Sequence, residues 1–355
     1  MASFSLSSRF ILLGAAFAVV AFTQPPANLY DEELNTSMPH RVAQWRQMTA
    51  YAESLPPGPA PEWGGAGNLL TILKRRTGYP PPALSVQGGE RLENAGEDSL
   101  ATYYRCWIRI SPHMETYGLY LVPKQVKLPA PLVISQHGGS GFPELAIFGG
   151  GANYHDMIRG AVREGYVVYA PLAIDYPRRD EAAGTPVPQD ARVRLDTTLR
   201  SKGTSLAAVE VRKIQLALDV LLKRKEVDPK RVAMIGLSYG CALTLHTAAL
   251  DPRIRLTAPS CCLRDAPAAA PSESSGRMTI LSSSELISLI SPRPMHVQAG
   301  IKDNLVPIEG ARRAIAASRD SCRGSPESLE FVDFDGGHEF RGADVWPFLR
   351  RHLKP

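Results

Sequence analysis

The sequence predicts an α/β fold: a mostly parallel central sheet with an antiparallel N-terminal hairpin and helices on both faces. Three observations predict it. From Pro131 onward, short apolar segments alternate with longer segments of helical period, the pattern that crossover connections impose on parallel strands. Two aromatic and β-branched runs, Thr102–Ile110 and Thr116–Val122, precede that alternation and are separated by the turn signal Ser111-Pro112-His113, which reads as a hairpin. Third, the apolar segment Val232–Leu237 runs into Gly236-Leu237-Ser238-Tyr239-Gly240 and then into Cys241-Ala242-Leu243-Thr244-Leu245-His246. A strand there gives way to a helix at a serine flanked by glycines.

The chain begins with a segment of a different kind. Arg9 precedes Phe10–Phe22, an apolar run of 13 residues, which is too short to span a bilayer and matches a signal-peptide core. Ala16-Phe17-Ala18 and Ala21-Phe22-Thr23 both offer small-residue cleavage sites, and Gln24-Pro25-Pro26 breaks any helix. Residues 1–23 are therefore expected to be a signal peptide, with an uncleaved anchor as the alternative. Export to the periplasm or the extracellular space follows, with no stable membrane span after cleavage.

Residues 24–95 are expected to be a helical extension. Met38–Ser54 and Asn68–Thr77 read as helices, set apart by Pro/Gly clusters at 56–65 and 79–89. Asn35-Thr36-Ser37 is a glycosylation sequon, meaningful only in a eukaryotic secretory pathway. Residues 96–355 are expected to be the catalytic domain. Beyond the hairpin, strands are predicted at Pro131–Gln136, Tyr166–Ala170, Val232–Leu237, Ile254–Ala258, Pro294–Ala299 and Leu329–Phe334. Helices are predicted at Tyr154–Glu164, Leu206–Lys225, after Ser238, and at Glu285–Ile290, Ile308–Arg319 and Val345–Leu353. Two stretches break the alternation, Leu172–Ser205 and the Ala/Pro/Ser-rich Leu263–Ser284. Both lie between a strand end and the next helix, where sites of open α/β sheets form, so they are expected to rim a substrate pocket.

Composition narrows the function. The 355 residues are 44% hydrophobic, enough for one large core. The net charge of +5 is dispersed, with no basic run longer than Lys74-Arg75-Arg76, so no nucleic-acid partner is expected. The five cysteines show no C-x-x-C spacing and no paired histidines, so neither a zinc site nor another cofactor is expected. In an exported chain they allow up to two disulfides. Cys241 follows Ser238 by three residues, and Cys261 and Cys262 end the next predicted strand. A bridge from Cys241 to one of them is expected.

Gly-x-Ser-x-Gly alone is weak, since chance gives about 0.2 matches in a chain with this Gly and Ser content. Its place between a strand and a helix strengthens it. A serine hydroxyl needs a base, and the base needs an orienting carboxylate. After a strand–Ser–helix elbow these follow as acid, then histidine. Asp303, just past the strand ending near Gly300, is the candidate acid, with Asp265 as its competitor. His338, on the Gly-rich loop Gly336-Gly337-His338 after another strand, is the candidate base. His246 is expected to pack within the elbow helix, and His137 precedes Ser238 in the wrong order. His40, His113, His155, His296 and His352 lack the loop context. The oxyanion donors are expected to be the backbone N–H of Tyr239 and that of Gly139, in His137-Gly138-Gly139-Ser140-Gly141. That segment lacks the lysine and spacing of a phosphate loop.

These residues resemble the α/β-hydrolase superfamily of serine hydrolases. The chain is similar to the branch holding dienelactone-hydrolase-like proteins and bacterial acetyl xylan esterases. Matching pieces are Tyr117-Gly118-Leu119-Tyr120-Leu121-Val122-Pro123, His137-Gly138-Gly139, Glu164-Gly165-Tyr166-Val167-Val168, Val227-Asp228-Pro229-Lys230-Arg231 and Gly236–Gly240. Further on come Ala249-Leu250-Asp251-Pro252-Arg253-Ile254, Ser291-Pro292-Arg293-Pro294, Asp303 and Gly337-His338-Glu339-Phe340. They cover roughly residues 100–350 and imply an α/β-hydrolase fold and a serine esterase acting on a small-molecule or carbohydrate ester. Two departures stand out. Dienelactone hydrolases proper use a cysteine nucleophile where this chain has Ser238, and many relatives carry Gly where it has Cys241. A prolyl-oligopeptidase-like peptidase and a non-catalytic binding protein are the alternatives; the first usually carries a propeller domain for which this chain has no room. The motifs specify neither acyl group, alcohol nor oligomeric state.

Overall fold

The computed structural model describes residues 37–139, 141–147, 153–155, 157–174, 179–180, 185–186, 190–264, 278, 280–322 and 326–353. The expected signal peptide, Asn35 of the sequon and Asp265 lie outside them. Helices α1 (Ser37–Ser54) and α2 (Leu69–Thr77) come first, then the strands β1 (Glu90–Glu97), β2 (Ala101–Arg109), β3 (Glu115–Pro123) and β4 (Ala130–Gln136). Helix α3 (Met157–Arg163) and β5 (Val167–Pro171) follow. A short ribbon, β6 (Arg179–Asp180) and β7 (Thr185–Pro186), leads to α4 (Ala191–Arg200) and α5 (Leu206–Leu221). The second half runs β8 (Val227–Leu237), α6 (Tyr239–Leu250), β9 (Leu256–Ser260), α7 (Ser283–Ile290), β10 (Met295–Gly300), α8 (Ile308–Ser318), β11 (Leu329–Phe334) and α9 (Gly342–His352).

Nine strands form one sheet in the order β1-β2-β3-β5-β4-β8-β9-β10-β11. β1, β2 and β3 pair antiparallel, as does β3 with β5, and every pair from β5 to β11 is parallel. Alternation along each strand sends side chains to opposite faces. Leu132, Ile134, Val232 and Met234 enter the hydrophobic cluster shared with α1, α2, α5, α6, α7 and α8. Their neighbours Val133, Ala233 and Ile235 enter a second cluster with α3 and α9. Each of these side chains is wholly buried, and full burial of a Val, Leu, Ile or Met side chain contributes about 1.5–3 kcal/mol. A parallel sheet therefore has helices on both faces. Among the described residues no helix is long and apolar enough to cross a membrane.

Besides the short β6–β7 ribbon, two elements go beyond the sequence reading. β1 pairs along β2 from Glu90↔Ile108 to Glu97↔Thr102, yet Glu90–Glu97 buries only Ala95. It is a charged edge strand, and charge on an edge blunts further pairing. α4 lies inside the stretch taken as irregular. Its buried positions, Ala191, Leu195 and Leu199, recur every fourth residue, and the i,i+4 pairs Arg194–Asp190 and Arg200–Asp196 brace its polar side.

Candidate active site

The nucleophile candidate sits where β8 meets α6. Ser238 has φ +61° and ψ −116°, a region costly for an L residue that is kept only where surroundings enforce it. Here its N–H donates to Ser260 O (2.9 Å) and its carbonyl accepts from Ala242 N–H (3.1 Å). The elbow glycines are required by close approach. A Cβ on Gly236 would lie 2.3 Å from Gly240 O, and one on Gly240 would lie 2.1 Å from Gln136 O. Those contacts seat the loop after β4 against the elbow. A Cβ on Gly138 would be 3.3 Å from Ser238 Cβ, and one on Gly139 would be 3.8 Å from Tyr239 Cβ.

The loop after β4 is fixed by two side chains. Ala173 N–H donates to His137 Nε2 (3.0 Å), so Nδ1 carries the proton and donates to Gly138 O (2.8 Å). His137 is thus a structural cross-brace to the loop after β5. Gly138 N–H donates to the Tyr154 hydroxyl (2.9 Å). That donor is spent on Tyr154, and Gly139, the next residue of the loop, lies beside Tyr239.

Acid and base candidates meet at the same edge. Asp303, just past β10, is buried, and its Oδ1 accepts from Leu305 N–H (2.8 Å) and Val306 N–H (2.9 Å). Its Oδ2 lies 2.7 Å from His338 Nδ1. The two backbone donors fix the orientation of the carboxylate. His338 follows β11; its carbonyl accepts from Asn153 Nδ2 (2.8 Å). Its other ring nitrogen, Nε2, is buried and has no hydrogen-bond partner among the described residues. No hydrogen bond joins it to Ser238 Oγ; such contacts commonly tighten only when substrate binds.

Cysteines surround these groups. Cys241, in the first turn of α6, is bridged to Cys262, just past β9, with Cα atoms 5.8 Å apart. The free thiol of Cys261 is buried, with its N–H on Gln298 O (3.0 Å) and its Sγ donating to Glu339 O (3.4 Å). Burial, with smaller contributions that include Asp303, pushes this thiol up to about 11. Cys261 Sγ, a carboxylate oxygen of Asp303 and a ring nitrogen of His338 all lie within 4.8 Å of one another.

Sequence reading missed four of these neighbours. Tyr154, Asn153 and Cys261 carry no motif of their own. The fourth is Arg192 of α4, whose guanidinium lies over the Tyr239 ring (4.5 Å) and hydrogen-bonds its hydroxyl. The stretch Leu172–Ser205 therefore touches the residue after Ser238. A cleft of about 940 Å³ elsewhere, lined among others by Glu90, Asp219, Arg224 and Arg253, includes none of the candidate site residues. Three other histidines are engaged with groups outside the proposed triad. His246 is buried with Nδ1 on Ala242 O (2.8 Å), His155 pairs with Glu339 (2.6 Å), and His40 stacks on Tyr117.

The pattern of the dienelactone hydrolase family matches residues 117–316. That span holds Ser238 and Asp303 and ends before His338. YtaP of Bacillus subtilis (strain 168), whose name says hydrolase and no more, is 28% identical over 257 residues, covering 68% of this chain and 80% of that protein. A glucuronoyl esterase from Solibacter usitatus superposes with a TM-score of 0.56 at 14% identity, over 89% of this chain and 92% of its own. Acetyl xylan esterase 1 from Thermoanaerobacterium sp. JW/SL YS485 does so with a TM-score of 0.53 at 17% identity, over 86% and 98%. At such identities the structural likeness is one of fold.

Proposed function

Because the chain belongs to the dienelactone hydrolase family, we propose that it is an exported serine carboxylic-ester hydrolase working through Ser238, His338 and Asp303. The observation that carries the reading is the 2.7 Å bond from His338 Nδ1 to Asp303, at the sheet edge where Ser238 occupies a strained elbow. Ser238 Oγ attacks the ester carbonyl while His338 Nε2 takes its proton. Asp303 holds Nδ1–H, fixing the tautomer and stabilising the imidazolium. The carbonyl oxygen becomes an oxyanion facing the N–H groups of Tyr239 and Gly139, a stabilisation worth about 10²–10³ in rate per donor. The alcohol leaves with the proton from His338. Water then attacks the acyl-enzyme, again with His338 as base, and the acid and Ser238 are released.

The Cys241–Cys262 bridge supports export independently of the N-terminal run, since such bonds persist in oxidising compartments. The substrate class proposed is an acylated carbohydrate or a small ester, after the names of the similar folds, a glucuronoyl and an acetyl xylan esterase. The test is hydrolysis of p-nitrophenyl acetate, butyrate and octanoate by wild type and Ser238→Ala, with fluorophosphonate labelling of both. Wild type should turn over at least one ester and take the label; Ser238→Ala should do neither. Equal rates in the two proteins, with no adduct, would remove the assignment.

A further inference from the structure

The structure points to a cation site that shares two residues with the proposed triad. We propose that Cys261, Asp303 and His338 bind a thiophilic divalent cation of the Zn²⁺ type, and that the bound cation switches the esterase off. Thiolate, carboxylate and imidazole are the ligand set that Zn²⁺ selects, and three protein ligands with an open fourth position make a stable arrangement. The donor atoms lie within 4.8 Å of one another. Bond lengths of about 2.0–2.3 Å in a tetrahedron put donors about 3.3–3.7 Å apart, so the widest pair closes by about 1 Å while Asp303 Oδ2 and His338 Nδ1, now 2.7 Å apart, open by about 0.6 Å.

The surroundings permit that movement and fix two of the three ligands. Asp303 Oδ1 is held by two backbone N–H groups, which leaves Oδ2 for the cation. Cys261 is anchored through its N–H to Gln298 O. His338 is the ligand that moves: among the described residues its Nε2 holds no hydrogen bond, so only the bond to Asp303 has to give way. Asp303 faces Nδ1, so a cation held by that carboxylate takes Nδ1.

On binding, three coordination bonds form, and two hydrogen bonds break, that between Asp303 and Nδ1 and that from Cys261 Sγ–H to Glu339 O. The Cys261 thiol gives its proton to solvent. The imidazole stays neutral, its proton passing from Nδ1 to Nε2 by way of water. One proton leaves, and thiolate and carboxylate balance the two positive charges. Nothing is oxidised or reduced. The consequence is chemical rather than steric. A proton on Nε2 leaves His338 without the lone pair that accepts the Ser238 proton. The effect on catalysis rests on the proposed triad; the binding itself does not.

Two measurements separate these. The first uses full-length Ser238→Ala, stripped with EDTA, competing for Zn²⁺ with a chromogenic zinc indicator. One tight site per chain is expected, at least tenfold weaker when Cys261→Ala or Cys261→Ser is added, with circular dichroism confirming that both variants fold. Affinity unchanged in both variants would overturn the site, whatever the chain hydrolyses. The second titrates Zn²⁺ into wild type hydrolysing p-nitrophenyl acetate. Stoichiometric inhibition, reversed by EDTA, is expected. Full activity with the site saturated would overturn the switch. A wild type with no esterase activity would count against the proposed function and leave the binding result standing.

Discussion

Ser238 is held by backbone on every side, whereas His338 hangs on side chains. The serine is pinned through its N–H and carbonyl to Ser260 and Ala242, between glycines that admit no Cβ, beside a helix bridged covalently to the neighbouring loop. The imidazole is oriented by Asp303 and its carbonyl by Asn153, on a loop with open space beside Gly337. On the proposed assignment the difference is a division of labour. The proposed nucleophile holds an unfavourable φ, which main-chain packing enforces. The proposed base has to turn between taking and giving a proton, and a single carboxylate guides it.

The largest effect expected from this contrast is on the base side. If Asp303 alone orients the proposed base, Asp303→Asn lowers kcat by about 10³–10⁴ while the folded structure survives. Steady-state hydrolysis of p-nitrophenyl acetate reads this directly. A drop below tenfold would mean that another group sets the imidazole tautomer.

Next comes the pair of glycines that embodies the two regimes. In Gly240→Ala the new methyl meets Gln136 O at 2.1 Å, backbone that cannot step aside. Such overpacking should cost about 3 kcal/mol or more and leave little soluble protein. Gly337→Ala should shift stability by less than about 1 kcal/mol either way. Urea unfolding of both variants compares them, and equal costs would erase the distinction between a locked nucleophile and a guided base.

The disulfide tests whether the lock is covalent or conformational. Cys241 and Cys262 are 21 residues apart in sequence, and cross-linking a loop of that size stabilises by about 3 kcal/mol in the chain-entropy view. Cys241→Ala with Cys262→Ala should therefore lower the unfolding free energy by about that much. The esterase rate at 20 °C should fall less than tenfold, because the glycine contacts still set the elbow. A much larger loss of rate would assign the elbow geometry to the bridge.

The same contrast explains what could be read in advance. The elbow at Ser238 and the meeting of Asp303 with His338 were legible because each residue follows a predicted strand, and two of them sit among glycines. The parallel sheet was legible because apolar segments such as Ile134–Val133 and Met234–Ile235 feed both faces. Cys261 was not. It joins Asp303 and His338 only because β9 lies between β8 and β10, and residues 261, 303 and 338 show no ligand spacing in the sequence. β1 escaped because an edge strand with one buried side chain has no apolar pattern. Helix α4 escaped because Pro and charged residues around it masked a single four-residue repeat, and with it the reach of Arg192 to Tyr239.

The smallest effect lies in the locked half, on α6 itself. His246 is 1% exposed. Its Nδ1–H donates to Ala242 O, and its Nε2 is buried without a hydrogen-bond partner among the described residues. Burial lowers its pKa from 6.5 to about 4, since a charge there would lose its hydration. The folded state thus resists a proton that the unfolded chain accepts. Stability is unaffected above pH 6.5, falls as pH drops from 6.5 toward 4, and levels off below that. Between pH 7 and pH 5 this one group should remove about 2 kcal/mol. Urea unfolding of wild type and His246→Leu at both pH values isolates it, because every other titrating group is common to the two. The wild type should lose more than the variant by about that amount. Equal losses would show that α6 opens to water around His246, and the nucleophile side would then be less tightly packed than its glycines and its disulfide imply.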